Sequence, residues 1–362
     1  NALAKFAGYR DWDDFLSRHK DAGTENNESI KHAKKGNRTV IYIAAIVILI
    51  TTGFILYKVA NITSKSFFPR KADFIFAVQD TAGTVPHSVK VIYDISHIES
   101  DQITVDFNFN HPVLGPQVKK LDRSNNQLNF TYQIPGIYRI NLLFRGKVLA
   151  SKKVIALTKD WISYFLPESN LNHLWMDNII GSETGGKESI NLSRQFLKSQ
   201  GFDTNKIFDI LHRIMKDFGI DGDNFRFRIR YRNSPETGGI TCYDTGVRLH
   251  CLNYVNELVL TESNCQQFSR LTFGEISLNG EGSDLSALTF NPDQINELEI
   301  ENRNKKVQIK LNGKIVYNLI YKNSNGNIMG IDCVFKGCGI VDYISLESTD
   351  GTNRFYQNFK DE

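Results

Sequence analysis

A chain of 362 residues has room for two or three domains. Hydrophobic residues make up 41% and charged residues 23%, enough to build packed cores, while a formal net charge of +3 is too small to hold nucleic acid by electrostatics. Proline is scarce (8), and an aromatic content of 11% is high for a helical protein but ordinary for a β protein.

The chain opens on Asn1 rather than Met, so a preceding segment is expected. Residues 2–7 read as the end of a helix with Gly8 in the C-cap position, and Asp11 can cap a second helix over 12–19. The string LAKFAGYRDWDDF resembles the closing helices of a small helical domain found at the N-terminus of Bacteroidetes membrane proteins. That resemblance implies that residues 1–20 end a cytoplasmic helical domain. Residues 21–38 are polar and read as a linker.

Residues 39–57 run nineteen positions without a charge, flanked by Lys35 and Arg38 on one side and Lys58 on the other. At about 1.5 Å per residue, such a helix spans most of a ~30 Å hydrocarbon core. Tyr42 and Tyr57 sit where interfacial aromatic belts form, and no polar face interrupts the run. The stretch 39–58 is therefore read as a transmembrane helix, with the lipid bilayer as first partner. Thirty-eight residues precede it, which disfavours a cleaved signal peptide. Basic residues balance across the span. The late cysteines and the β-rich C-terminal mass set the orientation: inner (cytoplasmic) membrane, N-terminus cytoplasmic, C-terminal domains periplasmic.

Short alternating runs at 74–78, 88–93, 102–109, 127–132, 138–145 and 148–157 predict a β-sandwich over 72–158. In FTYQIPGIYRINLLF, Pro135-Gly136 makes a tight turn, after which Tyr138, Ile140 and Leu142 share one face. Tyr132, Pro135, Gly136, Tyr138, Ile140 and Leu142 resemble the last strands of PKD-type immunoglobulin-like domains. Those are usually spacers or binding modules of surface proteins. The family's central Trp-Asp-Phe-Gly-Asp-Gly is replaced by residues 105–112, VDFNFNHP, without its glycines.

Residues 159–222 read as a connector. SETGGK at 182–187 fails the phosphate-loop pattern. Ile207, Phe208, Leu211, Ile214, Met215 and Phe218 follow helical spacing and predict an amphipathic helix over 204–218, with His212 solvated. Asp221-Gly-Asp-Asn224 reads as a turn, since the further ligands of a calcium loop are missing; no metal or cofactor is expected.

From 223 to 350 a second β-domain is predicted. Phe225, Phe227, Ile229 and Tyr231 alternate with Arg226, Arg228, Arg230 and Arg232, a half-buried strand with a basic outer face able to grip an acidic glycan or a phosphate, or simply solvated. Asn312-Gly313 between alternating runs predicts a hairpin, because both central residues need positive φ. The cysteines Cys242, Cys251, Cys265, Cys333 and Cys338 all lie in this region; an odd number leaves room for one or two disulfides or for buried thiols. FRFRIRYRNSPETGGITCYD, GSDLSAL, VQIKLNGKIVYNLIY and GIDCVFKGCGIVDYISL resemble a concanavalin/laminin-G-like jelly roll. More closely, they resemble the C-terminal module of Bacteroidetes surface proteins that carry a PKD-like domain. Jelly rolls of this class commonly bind carbohydrate.

Glu297-Leu-Glu-Ile-Glu301 resembles the Glu-x-Asp-x-Glu strand of family-16 glucanases, which would make Glu297 and Glu301 nucleophile and acid/base. The plainer reading is an acidic face paired with the lysines of the next strand. No other catalytic motif is present. The sequence thus describes a mainly β, non-catalytic, membrane-anchored recognition protein for a glycan or an envelope protein partner, relaying to a cytoplasmic domain. The alternatives are a structural spacer and, furthest, a glycosidase.

Overall fold

The computed structural model describes residues 8, 10, 13–14, 46–55, 58, 68–98, 102–167, 174–180, 190–233 and 242–359. The chain divides into two compact units, 1–67 and 68–362. In the first, residues 46–55 and 58 are helical and lie within the stretch read as a span, whereas 39–45, 56–57 and the polar linker fall outside the described residues. Among the described residues no helix is long and apolar enough to cross a membrane.

The second unit begins with a two-sheet sandwich. Strands β1 (Ile75–Gln79), β3 (His87–Asp94) and β6 (Gln127–Tyr132) form one sheet in the order β1–β3–β6. Strands β2 (Ala82–Thr84), β4 (Ile103–His111), β5 (Gly115–Lys120), β7 (Gly136–Phe144) and β8 (Lys147–Leu157) form the other, ordered β2–β8–β7–β4–β5, with β2 parallel to β8. Period-2 alternation builds the core: Val89 and Val91 from one sheet meet Val105, Phe107, Ile140, Leu142 and Val154 from the other. The Pro135 turn links strands that lie in opposite sheets. Tyr138, at the start of β7, donates its hydroxyl to Ile134 O (2.7 Å), which ties the head of the strand to the turn before it. Asn108, which stands where the resembled pattern has its first glycine, carries the positive φ (48°) itself. Asn tolerates that region, and here its N–H is held by the Asp106 carboxylate (2.7 Å).

The remaining strands make a larger sandwich. Its first sheet contains β9 (Ile162–Pro167), β10 (Ile179–Ile180), β11 (Phe208–Met215), β13 (Asp244–Cys251), β14 (Val255–Glu262), β15 (Arg270–Phe273), β16 (Ile276–Asn279) and β21 (Ile328–Lys336), ordered β10–β9–β11–β21–β13–β14–β15–β16, with β17 (Thr289–Phe290) parallel beside β14. Its second contains β12 (Asn224–Asn233), β18 (Asn296–Arg303), β19 (Lys306–Leu311), β20 (Lys314–Ile320), β22 (Gly339–Ser348) and β23 (Arg354–Asn358), ordered β20–β19–β18–β12–β22–β23. Phe225, Phe227 and Ile229 pack with Leu249, Leu258, Leu298, Ile300 and Phe335 between the sheets. Burial of each such side chain contributes about 1.5–3 kcal/mol. Asn312 and Gly313 have φ of 50° and 78°, as the predicted hairpin requires.

Three expectations are corrected. Residues 204–218 are not an amphipathic helix: Phe208–Met215 is strand β11, buried at every position. Phe208, Ile210 and Ile214 enter cores on one side and Leu211 joins the core of the first sandwich on the other. A strand covered on both faces is apolar throughout, and periodicity cannot then separate it from a helix. Residues 159–222 are consequently not a connector, because β9, β10 and β11 belong to the larger sandwich, alongside a short helix α1 (Arg194–Ser199) capped by Ser193. The six-stranded sheet also runs past residue 350, through β23.

His212 is buried rather than solvated. Its Nδ1 bonds Ser163 Oγ at 2.7 Å, Nε2 has no partner among the described residues, and burial pushes its pKa down to about 3. The unfolded chain takes up this proton near 6.5, well above the folded state. Stability from a neutral His212 is therefore complete above pH 6.5 and declines by about 1.4 kcal/mol per pH unit below it, until about pH 3. His212→Gln is expected to flatten that slope, read as the urea midpoint between neutral and mildly acidic pH; an unchanged slope would refute the assignment.

Candidate functional site

The outer face of the six-stranded sheet brings together the two charged rows that the sequence singles out. Alternation sends Phe225, Phe227, Ile229 and Tyr231 inward and Arg226, Arg228, Arg230 and Arg232 outward. Antiparallel register then sets Arg226 opposite Glu301, Arg228 opposite Glu299 and Arg230 opposite Glu297.

Across the strands the charges alternate. Glu299 lies between Arg228 Nε (2.7 Å) and Lys310 Nζ (2.9 Å). Glu301 lies between Arg226 Nη2 (3.3 Å) and Arg303, and Arg226 Nη1 reaches Glu347 (3.4 Å). Arg230 Nε pairs with Asp342 (3.1 Å). Arg232 and Lys306 make no ion pair among the described residues. The acidic row is thus paired with the next strand through Lys310, and still more with the arginine row.

Burial raises the pKa of Glu299, but Lys310 and Arg228 outweigh it and hold the carboxyl below its ordinary range; for Glu301, Arg303 and Arg226 do the same. A general acid needs the opposite shift. Glu301 is thus held as an ion-paired carboxylate by Arg226 and Arg303.

At the β18–β19–β20 end of this face lies an open groove of about 740 Å³. Glu301, Arg303, Lys306, Gln308 and Asn318 supply polar groups, and Ile320 is among its apolar lining. Gln308 Nε2 donates to Asn318 Oδ1 at 3.3 Å, fixing the two amides side by side. Two tyrosines that sequence spacing did not reveal flank the opposite edge. Tyr343 and Tyr356 have ring centroids 6.1 Å apart, Tyr356 is exposed, and Arg354 stacks on it at 5.4 Å. Their alternation in YISLES and RFYQN was visible; their adjacency required the β22–β23 pairing.

The other candidates are structural. Cys242 and Cys265 form a disulfide (Cα–Cα 5.6 Å), while Cys251, Cys333 and Cys338 are buried thiols, so one pairing of the five is realised. Burial pushes the Cys251 and Cys333 thiols up, which leaves them unreactive. Residues 221–224 form a turn in which Asp221 Oδ1 accepts from Asp223 N (3.0 Å). Arg213, Asp332 and His250 form a buried cluster where the two sandwiches meet. Asp332 accepts Arg213 Nε (2.8 Å) and Nη2 (2.7 Å) together with His250 Nε2 (2.8 Å), and Arg213 Nη1 donates to Pro135 O (2.9 Å) of the first sandwich.

No family model and no curated protein matches the sequence. Among solved structures, the galectin LEC-6 of Caenorhabditis elegans is 12% identical, covering 36% of this chain and 88% of its own, with a TM-score of 0.24. Carbohydrate-binding module CBM66 from Bacillus subtilis is 10% identical over 37% of this chain and 81% of its own, with a TM-score of 0.23. An alginate lyase from Corynebacterium sp. is 10% identical over 67% of this chain and 93% of its own, with a TM-score of 0.25. Similarity this low assigns no family, and the functional reading below comes from the residues of this chain.

Proposed function

We propose that this chain is a membrane-anchored recognition protein whose larger sandwich binds a glycan on the outer face of its six-stranded sheet. The observation that carries this reading is the outward-facing, half-buried ladder of paired arginines and carboxylates running between the amide-lined groove and the Tyr343–Tyr356 edge. Each guanidinium has five donors and spends only one or two on its carboxylate, so several remain for sugar hydroxyls and carboxylates. The ion pairs hold these side chains in place, which lowers the entropy lost on binding. Arg232 and Lys306, which make no ion pair among the described residues, add positive charge, which favours an acidic glycan.

Anchoring rests on the uncharged run 39–57, whose described part is helical with exposed apolar side chains (Leu49 73%). The Cys242–Cys265 disulfide supports an oxidising, periplasmic setting for the C-terminal unit. Within that unit, the immunoglobulin-like domain receives the chain beside Phe68 and Phe144 and releases it after Leu157, opposite Gly136 at the far end of β7. Nine strand residues separate these ends by about 30 Å, the geometry of a spacer. A cytoplasmic domain before Asn1 would relay binding.

The test is titration of residues 68–362 against neutral and uronic-acid polysaccharides by calorimetry. Binding to the acidic class is expected, with Lys306→Ala and Gln308→Ala together weakening it about tenfold, near 1.4 kcal/mol. If no polysaccharide binds, the glycan reading falls and a structural spacer takes its place.

A further inference from the structure

Charge on the outer face of the six-stranded sheet is matched along the middle of one row and unmatched near its two ends. At the β23 end, Arg354 lies over the exposed ring of Tyr356 at 5.4 Å and makes no ion pair among the described residues. Toward the other end Lys306, on β19 and lining the groove, makes none either. Between them register builds a row across the strands: Arg354 stands opposite Glu347, Glu347 opposite Arg226, Arg226 opposite Glu301, and Glu301 opposite Gln308. Arg226 reaches both of its carboxylate neighbours, at 3.3 and 3.4 Å, so the middle of the row presents no spare cation. Arg232, which also makes no ion pair among the described residues, lies six positions along β12 from Arg226, about 20 Å off the row.

The sheet sets the distance between the two end cations. Four strand spacings of about 4.8 Å, with an offset of two residues along β19, put the backbones of Arg354 and Lys306 about 20 Å apart. A pyranose ring is about as wide as one strand spacing, so about four sugars bridge that distance. An acidic group at each end of such a stretch meets Arg354 or Lys306, and the exposed Tyr356 ring offers an apolar surface to the first sugar. The sugars between lie against Glu347 and Glu301, whose side chains are 24% and 16% exposed. A hydroxyl fits there, because it can donate to a carboxylate and accept from Arg226, whereas a second carboxylate is repelled.

We propose that this face reads the spacing of acidic groups along a linear glycan lying across the strands, and that its ligand carries uronic acids separated by neutral sugars rather than one on every sugar. The inference rests on the glycan reading above and specifies which member of the acidic class is bound. Part of the selection is repulsive: Glu347 and Glu301 penalise a densely charged chain that Arg354 and Lys306 alone would attract.

Calorimetry of the compact unit 68–362 is the test, with two probes: gellan, a linear chain with one uronic acid in each four-sugar repeat, and polygalacturonate, with one on every sugar. Gellan is expected to bind about tenfold more tightly. Arg354→Ala and Lys306→Ala, both at exposed positions, should each weaken gellan binding about fivefold with the melting temperature unchanged. Glu347→Gln removes a carboxylate from the middle of the row and should tighten polygalacturonate binding about fivefold, a gain that misfolding cannot mimic. If no acidic polysaccharide binds, the glycan reading falls and this inference with it. If polygalacturonate binds as tightly as gellan, or Arg354→Ala leaves gellan binding unchanged, the spacing inference alone is overturned and the recognition site stands.

Discussion

Asp332→Ala is expected to cost about 3–5 kcal/mol of folding stability, the usual result of leaving one member of a buried ion pair without its partner. The Asp332 side chain is fully buried, and that of Arg213 is 8% exposed. Removing the carboxylate strands the guanidinium where two sandwiches meet, with Pro135 O as its remaining acceptor. Burial raises the pKa of Asp332, but Arg213 and His250 overwhelm it and hold the carboxyl far below the ordinary carboxylate range. The unfolded chain therefore protonates here first. The stability from this charge is complete above about pH 4 and is lost as pH falls toward the depressed folded value. Asp332→Asn, which also removes the titration, should show a flatter acid limb in denaturant melts. The double variant Arg213→Met/Asp332→Leu should recover much of the loss, since an apolar pair of similar bulk has no uncompensated charge. If Asp332→Ala melts within about 0.5 kcal/mol of the parent, the range of an ordinary surface change, the cluster does not hold the sandwiches together.

Trp161→Ala is expected to cost a similar amount, about 3–5 kcal/mol. Trp161 is fully buried at the entry to the larger sandwich, edge-on to Phe359 with ring centroids 6.1 Å apart, and its Nε1 donates to Gln357 Oε1 at 2.7 Å. It thus ties the first residues of the sandwich to the last, 196 positions away. Trp161→Phe keeps most of the volume but loses the hydrogen bond, for which the net cost is about 1 kcal/mol plus that of a smaller ring. Chemical denaturation of both variants separates the two contributions. Equal losses would mean that the hydrogen bond rather than the packing matters.

Parts of the fold were legible because they are local. The Asn312-Gly313 hairpin depends on two adjacent residues whose backbone preference is intrinsic. The alternation of Phe225–Arg232 fixes inward and outward faces whatever the partner strand is. The Tyr138 hydroxyl bond closes over four residues. The Arg and Glu rows were each visible, but not as one ladder. Arg228 and Glu299 are 71 positions apart, and only the β12–β18 register joins them.

Composition and short-range pattern, then, established a mainly β chain with an uncharged N-terminal run, a two-faced arginine strand and a tight hairpin. Tertiary structure decided what those patterns could not. Phe208–Met215 became a strand because β9 and β21 flank it and both its faces are covered, which erases the periodicity that separates strand from helix. The same long-range pairing chose Cys265 as the partner of Cys242, set Tyr343 beside Tyr356, and brought the arginine row against the glutamate row. Each of these depends on which distant strand lies alongside, and that is settled by burial of both sheets at once rather than by any residue's neighbours in sequence.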